Sequence, residues 1–164
     1  MRGADGRRHN IAHEPIVPPR AGKGHLALTQ AELIEWGERF GRVATPPLVV
    51  AISGELGAGK TTLVQAICRG YGVAEDVTSP TFALVHRYAA PRSAVYHLDL
   101  YRLKSPDELR NIGWDDLLGD GALVLIEWPE RAAEHVPHDH VPVSLQHLPG
   151  DDSRRVLYAG GHVL

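Results

Sequence analysis

The sequence predicts one α/β domain of the phosphate-loop nucleotide-binding type: a mixed central sheet flanked by helices, with an antiparallel hairpin at its C-terminal end. Three observations predict it. A β-branched apolar run, Leu48 to Ile52, is followed at once by a glycine-rich segment, Gly54 to Thr62, and then by apolar residues at helical spacing. Ala122 to Ile126, the most apolar run in the chain, reads as another buried strand. Val141 to Leu148 and Arg154 to Ala159 flank the turn residues Pro149-Gly150-Asp151-Asp152, the pattern of an antiparallel hairpin.

Residues 1–24 mix Gly, Pro, Arg and His without any period, and Pro15, Pro18 and Pro19 punctuate them, so a disordered leader is expected there. The folded domain is expected over residues 25–164. Leu26 to Leu28 suits a short edge strand, and Thr29 with Glu32 forms a Thr-x-x-Glu capping box that opens a helix. Ala31, Leu33, Ile34 and Phe40 share one side of that helix, which is expected to end near Gly41. Leu48 to Ile52 lacks the alternation of a strand with one wet face and is expected at the centre of the sheet, covered on both sides. Leu63, Val64, Ala66, Ile67 and Cys68 then continue helically until Gly70 and Gly72 stop them.

Thr81 to Tyr88 and Ala94 to Leu98 read as two strands joined by a turn around Pro91. Ser105-Pro106-Asp107-Glu108 reads as a second helix start, with serine as cap, proline at the first position and glutamate three residues after the cap. With Ala122 to Ile126 and the final hairpin, the sheet must be mixed.

At 164 residues and 17.9 kDa the chain fits one domain, a size that buries roughly 70% of the unfolded surface. Apolar residues make up 43% and charged residues 23%, which argues against a wholly disordered chain. No apolar run approaches the ~20 residues of a membrane-spanning helix, and the basic beginning has no apolar stretch after it to make a secretory signal. A cytoplasmic protein without membrane contact is the expectation.

Cys68 is the only cysteine, which rules out an intrachain disulfide and a zinc site of several thiolates; it is expected to be a small buried residue. His135, His138 and His140 cluster, but Pro137 and Pro142 exclude a regular helix presenting two imidazoles one turn apart, so a solvated loop is expected. The first 24 residues carry a net charge of +3 and the remainder −6, for −3 overall. An acidic domain does not grip nucleic acid by itself, so any RNA is expected to be held by another protein.

Gly54-Glu55-Leu56-Gly57-Ala58-Gly59-Lys60-Thr61 matches Gly-x-x-x-x-Gly-Lys-Thr in full, between a strand and a helix as that motif requires. The glycines permit backbone geometry that lets successive N–H groups, including those of Gly57, Ala58 and Gly59, turn around phosphate oxygens. The helix beginning at Lys60 adds its positive dipole end. Lys60 supplies a full charge to the β- and γ-phosphates, Thr61 is placed to ligate Mg²⁺, and Thr62 reaches toward the α-phosphate. A nucleoside triphosphate, ATP with Mg²⁺, is the expected ligand.

A triphosphatase also needs a carboxylate near the metal, at the end of a strand beside the loop. Asp99 follows Val95-Tyr96-His97-Leu98 and Glu127 follows Leu123-Val124-Leu125-Ile126. Asp99 is assigned as a Mg²⁺ ligand, direct or through water. Glu127 either orients the attacking water or completes the metal shell. Lys60, Asp99 and Glu127 are thus the expected catalytic residues, and the bland alternative is a pair of surface acids at strand ends. Thr78-Ser79-Pro80-Thr81 suits either a γ-phosphate-sensing segment or a polar turn. Lys23, Lys60 and Lys104 are the only lysines and none follows Asn, so the Asn-Lys-x-Asp segment that reads guanine is missing and adenine is favoured by elimination.

Taken together, these motifs resemble one small family, the bacterial TsaE proteins of tRNA threonylcarbamoyladenosine synthesis. The likeness rests on the Gly54 to Thr62 loop, on Thr78-Ser79-Pro80-Thr81-Phe82, on His97-Leu98-Asp99-Leu100-Tyr101-Arg102-Leu103 and on Ile126-Glu127-Trp128-Pro129-Glu130-Arg131, and covers His25 to Tyr158. The resemblance implies a weak ATPase working with TsaD and TsaB and reaching tRNA only through them. It also implies functional roles for Lys60, Thr61 and Thr62, for Asp99 on magnesium, and for Glu127 and Trp128 in hydrolysis and the nucleotide site. A small-molecule kinase and a nucleotide-dependent binding switch are the competing expectations.

Overall fold

The computed structural model describes residues 25–80 and 83–160. The expected leader over 1–24 and Thr81-Phe82 lie outside the described residues. The first strand, β1 (His25–Thr29), leads into helix α1 (Gln30–Val43). Thr29 caps α1: its Oγ1 accepts from the Glu32 N–H at 3.3 Å. The capping box closes differently from the expectation, because the Glu32 carboxylate accepts from the Thr29 hydroxyl at 3.1 Å and also meets Arg154 at 3.4 Å.

Helix α1 runs two residues beyond Gly41. The carbonyls at its end, which no further turn of helix can satisfy, are taken by the Arg92 guanidinium, which donates to Gly41 at 2.7 Å and to Ala44, with its plane over the Tyr71 ring.

Strand β2 (Leu48–Gly54) feeds the glycine loop, and helix α2 (Lys60–Tyr71) follows, closed by Gly72 at φ 103°. Strands β3 (Val85–Tyr88) and β4 (Val95–Asp99) pair antiparallel as expected. Regular pairing on β3 begins at Val85, later than the Thr81 start expected. The segment capped by Ser105 is a 3₁₀ segment, Pro106–Ile112, rather than an α-helix. Ser105 Oγ accepts from Asp107, and the Glu108 N–H bonds the Ser105 carbonyl three residues back, the 3₁₀ pattern. Gly113, at φ 71°, separates it from a five-residue helix α3 (Trp114–Leu118). Strand β5 (Leu123–Glu127), a second 3₁₀ segment (Pro129–His135) and the hairpin β6 (Val141–Leu148) with β7 (Asp151–Ala159) complete the chain.

The seven strands form one mixed sheet in the order β1-β7-β6-β2-β5-β4-β3. Strand β2 lies between β5 and β6, parallel to both, and β4 is parallel to β5. Each face has its own core. Val50, Ile52, Val95, Leu123 and Leu125 pack against Leu33, Phe40, Leu63, Val64 and Ile67 of α1 and α2. Leu98, Val124 and Ile126 pack on the other side with Leu109, Trp114 and Leu117. Each such side chain contributes roughly 1.5–3 kcal/mol when fully buried.

Helices α1 and α2 approach so closely that a Cβ on Gly41 would lie 2.1 Å from the Ile67 carbonyl oxygen, and one on Gly70 only 1.9 Å from that of Glu38. Cys68 is fully buried on α2, and burial pushes its thiol up to about 12. The thiolate is the reactive form, so Cys68 is expected to resist a thiol-specific reagent at neutral pH until denaturant opens the fold; rapid labelling of the native protein would contradict this. His135 and His138 are exposed, and His140 Nδ1 pairs with the Pro137 carbonyl. Among the described residues no helix is long and apolar enough to cross a membrane.

Candidate nucleotide and metal site

Side chains alternate faces along a strand, so Val95, His97 and Asp99 share one face of β4, and Leu123, Leu125 and Glu127 share one face of β5. Val95, Leu123 and Leu125 pack with α2, which places His97, Asp99 and Glu127 on the helix α2 side. The register sets Asp99 directly beside Glu127, and Glu127 beside Ile52 of β2. Strands β4 and β5 therefore end level, β2 runs two residues further to Gly54, and the loop leaving it borders the cleft that holds the two adjacent carboxylates.

Gly54, Gly57 and Gly59 have φ of 149°, 78° and 103°, values that only glycine adopts without strain. An added Cβ on Gly57 would meet no atom within 4 Å, whereas one on Gly54 would lie 2.4 Å from the Leu145 carbonyl oxygen. No side chain caps α2, so its first N–H groups are left for another acceptor. Lys60 is 5% exposed; its ammonium donates to the Gly54 and Glu55 carbonyls at 2.6 and 2.7 Å and sits 4.3 Å from the Trp128 ring centroid. Burial lowers the Lys60 pKa, opposed by the nearby charges of Glu127, Glu130, Asp99 and Glu55.

Thr61 Oγ1 donates to Glu127 Oε1 at 3.1 Å, and the other carboxylate oxygen, Oε2, lies 2.5 Å from His97 Nε2. Asp99 accepts from Ser79 Oγ at 3.2 Å and from the Tyr101 N–H at 3.0 Å. Trp128 holds a left-handed backbone, φ 57° and ψ 52°, immediately before a proline. For a bulky residue this conformation costs on the order of 1–3 kcal/mol and persists only where the surroundings impose it. Here it lays the indole against Lys60 and, at 5.0 Å, against Tyr101.

Gly57, Gly59, Lys60, Thr61, Thr62, Asp99, Glu127 and Trp128 thus line one cleft of about 370 Å³. Gly54 and Ala58 stand apart from it. Gly54 turns its carbonyl to Lys60, and the Ala58 N–H bonds the Glu55 carbonyl, so in this structure Ala58 does not offer that donor to the cleft.

Ser79, from the segment read as a γ-phosphate sensor or a polar turn, borders the cleft. Two residues that motif matching left without a role are here too: Tyr101 borders the cleft and His97 lies beneath it. Across the loop a second cleft of about 320 Å³ is bounded by Gln30, Asp152, Ser153 and Arg155, and shares Gly57, Gly59 and Thr62 with the first.

Residues 27–156 match the family model described as "Threonylcarbamoyl adenosine biosynthesis protein TsaE". The chain belongs to the TsaE family. Relatives named "tRNA threonylcarbamoyladenosine biosynthesis protein TsaE" include one from Treponema pallidum, 38% identical over 76% of this chain and 90% of the relative. One from Bacillus subtilis is 32% identical over 70% of this chain and 71% of the relative. The crystal structure of YdiB from the same organism superposes with a TM-score of 0.62 at 25% identity, covering 83% of this chain and 85% of that one. The TsaE match begins at residue 27, so residues 1–24 stand outside it.

Proposed function

We propose that this chain is a Mg²⁺-dependent ATPase, slow by itself, that serves tRNA threonylcarbamoyladenosine biosynthesis in the cytoplasm together with TsaD and TsaB and meets tRNA only through them. The observation that carries the chemistry is the convergence of Lys60, Thr61, Asp99 and Glu127 around one glycine loop. The donor set fits the metal: a hydroxyl and two carboxylates are hard oxygen ligands of the kind Mg²⁺ takes, and like charges side by side on neighbouring strands favour a cation between them. When bound, Mg²⁺ supplies neutralisation of the charge on the phosphates.

The chain's own groups do the rest. Backbone N–H groups at the start of α2 hold the phosphates, and Lys60 exchanges its two carbonyl contacts for phosphate oxygens. Thr61 and Asp99 hold the metal side. Glu127 orients the attacking water. Because Gly57, Gly59 and Thr62 border both clefts, the polyphosphate runs along the loop from the first, and the ribose and adenine lie in the second, between Gln30 and Arg155. The pathway and the partners rest on TsaE membership and on the acidic domain, which leaves RNA to another protein.

The test is Lys60→Ala. Removing a charged hydrogen-bonding group costs about 1.5–3 kcal/mol, so ATP measured by equilibrium dialysis with excess Mg²⁺ is expected to bind roughly ten- to a hundredfold more weakly. Binding equal to that of the unsubstituted chain would remove the loop from the mechanism.

A further inference from the structure

Three polar or charged side chains are buried among the described residues: Lys60, Glu127 and His97. The phosphate site employs the first two. His97 has no solvent exposure, pairs in register with Leu125 of β5 and His86 of β3, and among the described residues its side chain has a single hydrogen-bond partner, Glu127 Oε2 at 2.5 Å. Its Nδ1 has none. A polar group taken out of water costs roughly 1–3 kcal/mol unless paired, so an aliphatic residue would serve packing better at this place.

The unpartnered Nδ1 decides the tautomer. With its proton on Nδ1, a neutral ring would bury an N–H with no acceptor and aim the Nε2 lone pair at a carboxylate oxygen. With the proton on Nε2, it donates a charge-assisted hydrogen bond and leaves only a bare lone pair unmet. His97 is therefore a donor to Oε2.

The two carboxylate oxygens of Glu127 have different tasks. Oε2 takes the close contact with His97, and Oε1 takes the shorter contact with the Thr61 hydroxyl, which also lies 3.4 Å from Oε2. Once the Thr61 hydroxyl turns to a metal it no longer donates to Glu127, and His97 is the remaining side chain that holds the carboxylate. We propose that His97 is the positioning residue of the site: its Nε2–H fixes the Glu127 rotamer so that Oε1 faces Thr61 and the cleft. This rests on the hydrolytic role proposed for Glu127.

The test compares His97→Leu with His97→Gln in the full chain; the glutamine amide can place an N–H near the position of Nε2. Groups that orient a site's carboxylates typically count for ten- to a hundredfold. His97→Leu is expected to lower kcat for ATP by about that factor with ATP affinity within about twofold, and His97→Gln to recover most of it. Full turnover in His97→Leu, or glutamine no better than leucine at equal melting temperature, would overturn the assignment.

Should the leucine variant not fold, the wild-type protein still decides. Nitrogen-15 NMR of the imidazoles is expected to find one exchange-protected, strongly deshielded Nε2–H proton that moves upfield in Glu127→Gln. An Nδ1–H or averaged tautomer for His97 would refute the contact. Wild-type protein that binds ATP and releases no phosphate, even with TsaB and TsaD, would remove the hydrolytic reading instead, while the NMR result would still stand on its own.

Discussion

Glu127→Ala is expected to slow ATP turnover by about 10²- to 10⁴-fold, the range for loss of a group that handles the reacting proton or water, with ATP affinity changed only a fewfold. The split follows from what Glu127 touches. Its carboxylate meets Thr61 and His97, whereas Lys60, which with the loop backbone carries the proposed binding, donates to the Gly54 and Glu55 carbonyls instead. The substitution also strips His97 of its partner, and an unsatisfied buried N–H costs about 1–3 kcal/mol, so the melting temperature is expected to fall. Glu127→Gln separates the effects, since it keeps the volume and an acceptor but removes the charge; it should melt near the wild-type temperature and still turn over poorly. Single-turnover phosphate release at saturating Mg·ATP is the measurement. A rate within twofold of wild type for either variant would remove Glu127 from the chemistry.

Among the described helical glycines, Gly70→Ala is expected to be the most damaging single-methyl change. The added carbon would lie 1.9 Å from the Glu38 carbonyl oxygen and 2.7 Å from its carbon, so two helix backbones must separate. Overpacking of this kind costs about 3 kcal/mol or more where backbone has to move, against a gain of roughly 1 kcal/mol from replacing a helical glycine. A net loss of about 2 kcal/mol or more corresponds to a melting temperature lower by roughly 5 °C. Gly37→Ala is the milder comparison, because its nearest neighbour is the Ala66 Cβ at 2.7 Å, a side-chain atom rather than a main-chain oxygen. A Gly70→Ala protein as stable as wild type would mean that the helices are not locked at this distance.

Much of the fold was legible because its signals are local. The Leu48 to Ile52 run, the loop, the helix after it and the hairpin each announce themselves within a dozen residues. Asp99 and Glu127 were legible because ligands gather at the carboxyl ends of parallel strands. His97 carried a weaker signal: it stands two residues before Asp99, hence on the same face, in a strand that is otherwise apolar inside.

Other features had no local sign. Arg92 reads as a turn residue, and only the folded chain brings its guanidinium to the end of α1, some fifty positions earlier. The second cleft joins Gln30 to Asp152 and Arg155, which meet only because β1 lies against β7. The segment after Ser105 carries a good cap but is 3₁₀: a cap bond to Asp107 suits either helix type, and it is the Glu108 main-chain bond that closes over three residues. Trp128 entered as part of a motif; its left-handed backbone is invisible in a string of letters.

The level ends of β4 and β5 have a consequence for the molecule as a whole. Two anionic groups held next to each other repel, and the fold carries that repulsion wherever solvent alone must quench it. The Mg²⁺ proposed above would act there as a keystone: binding the native form and not the open chain, it would add to cohesion by mass action. On that proposal the melting temperature should rise with added Mg²⁺, and the local tension between the two carboxylates would be what draws the cation in.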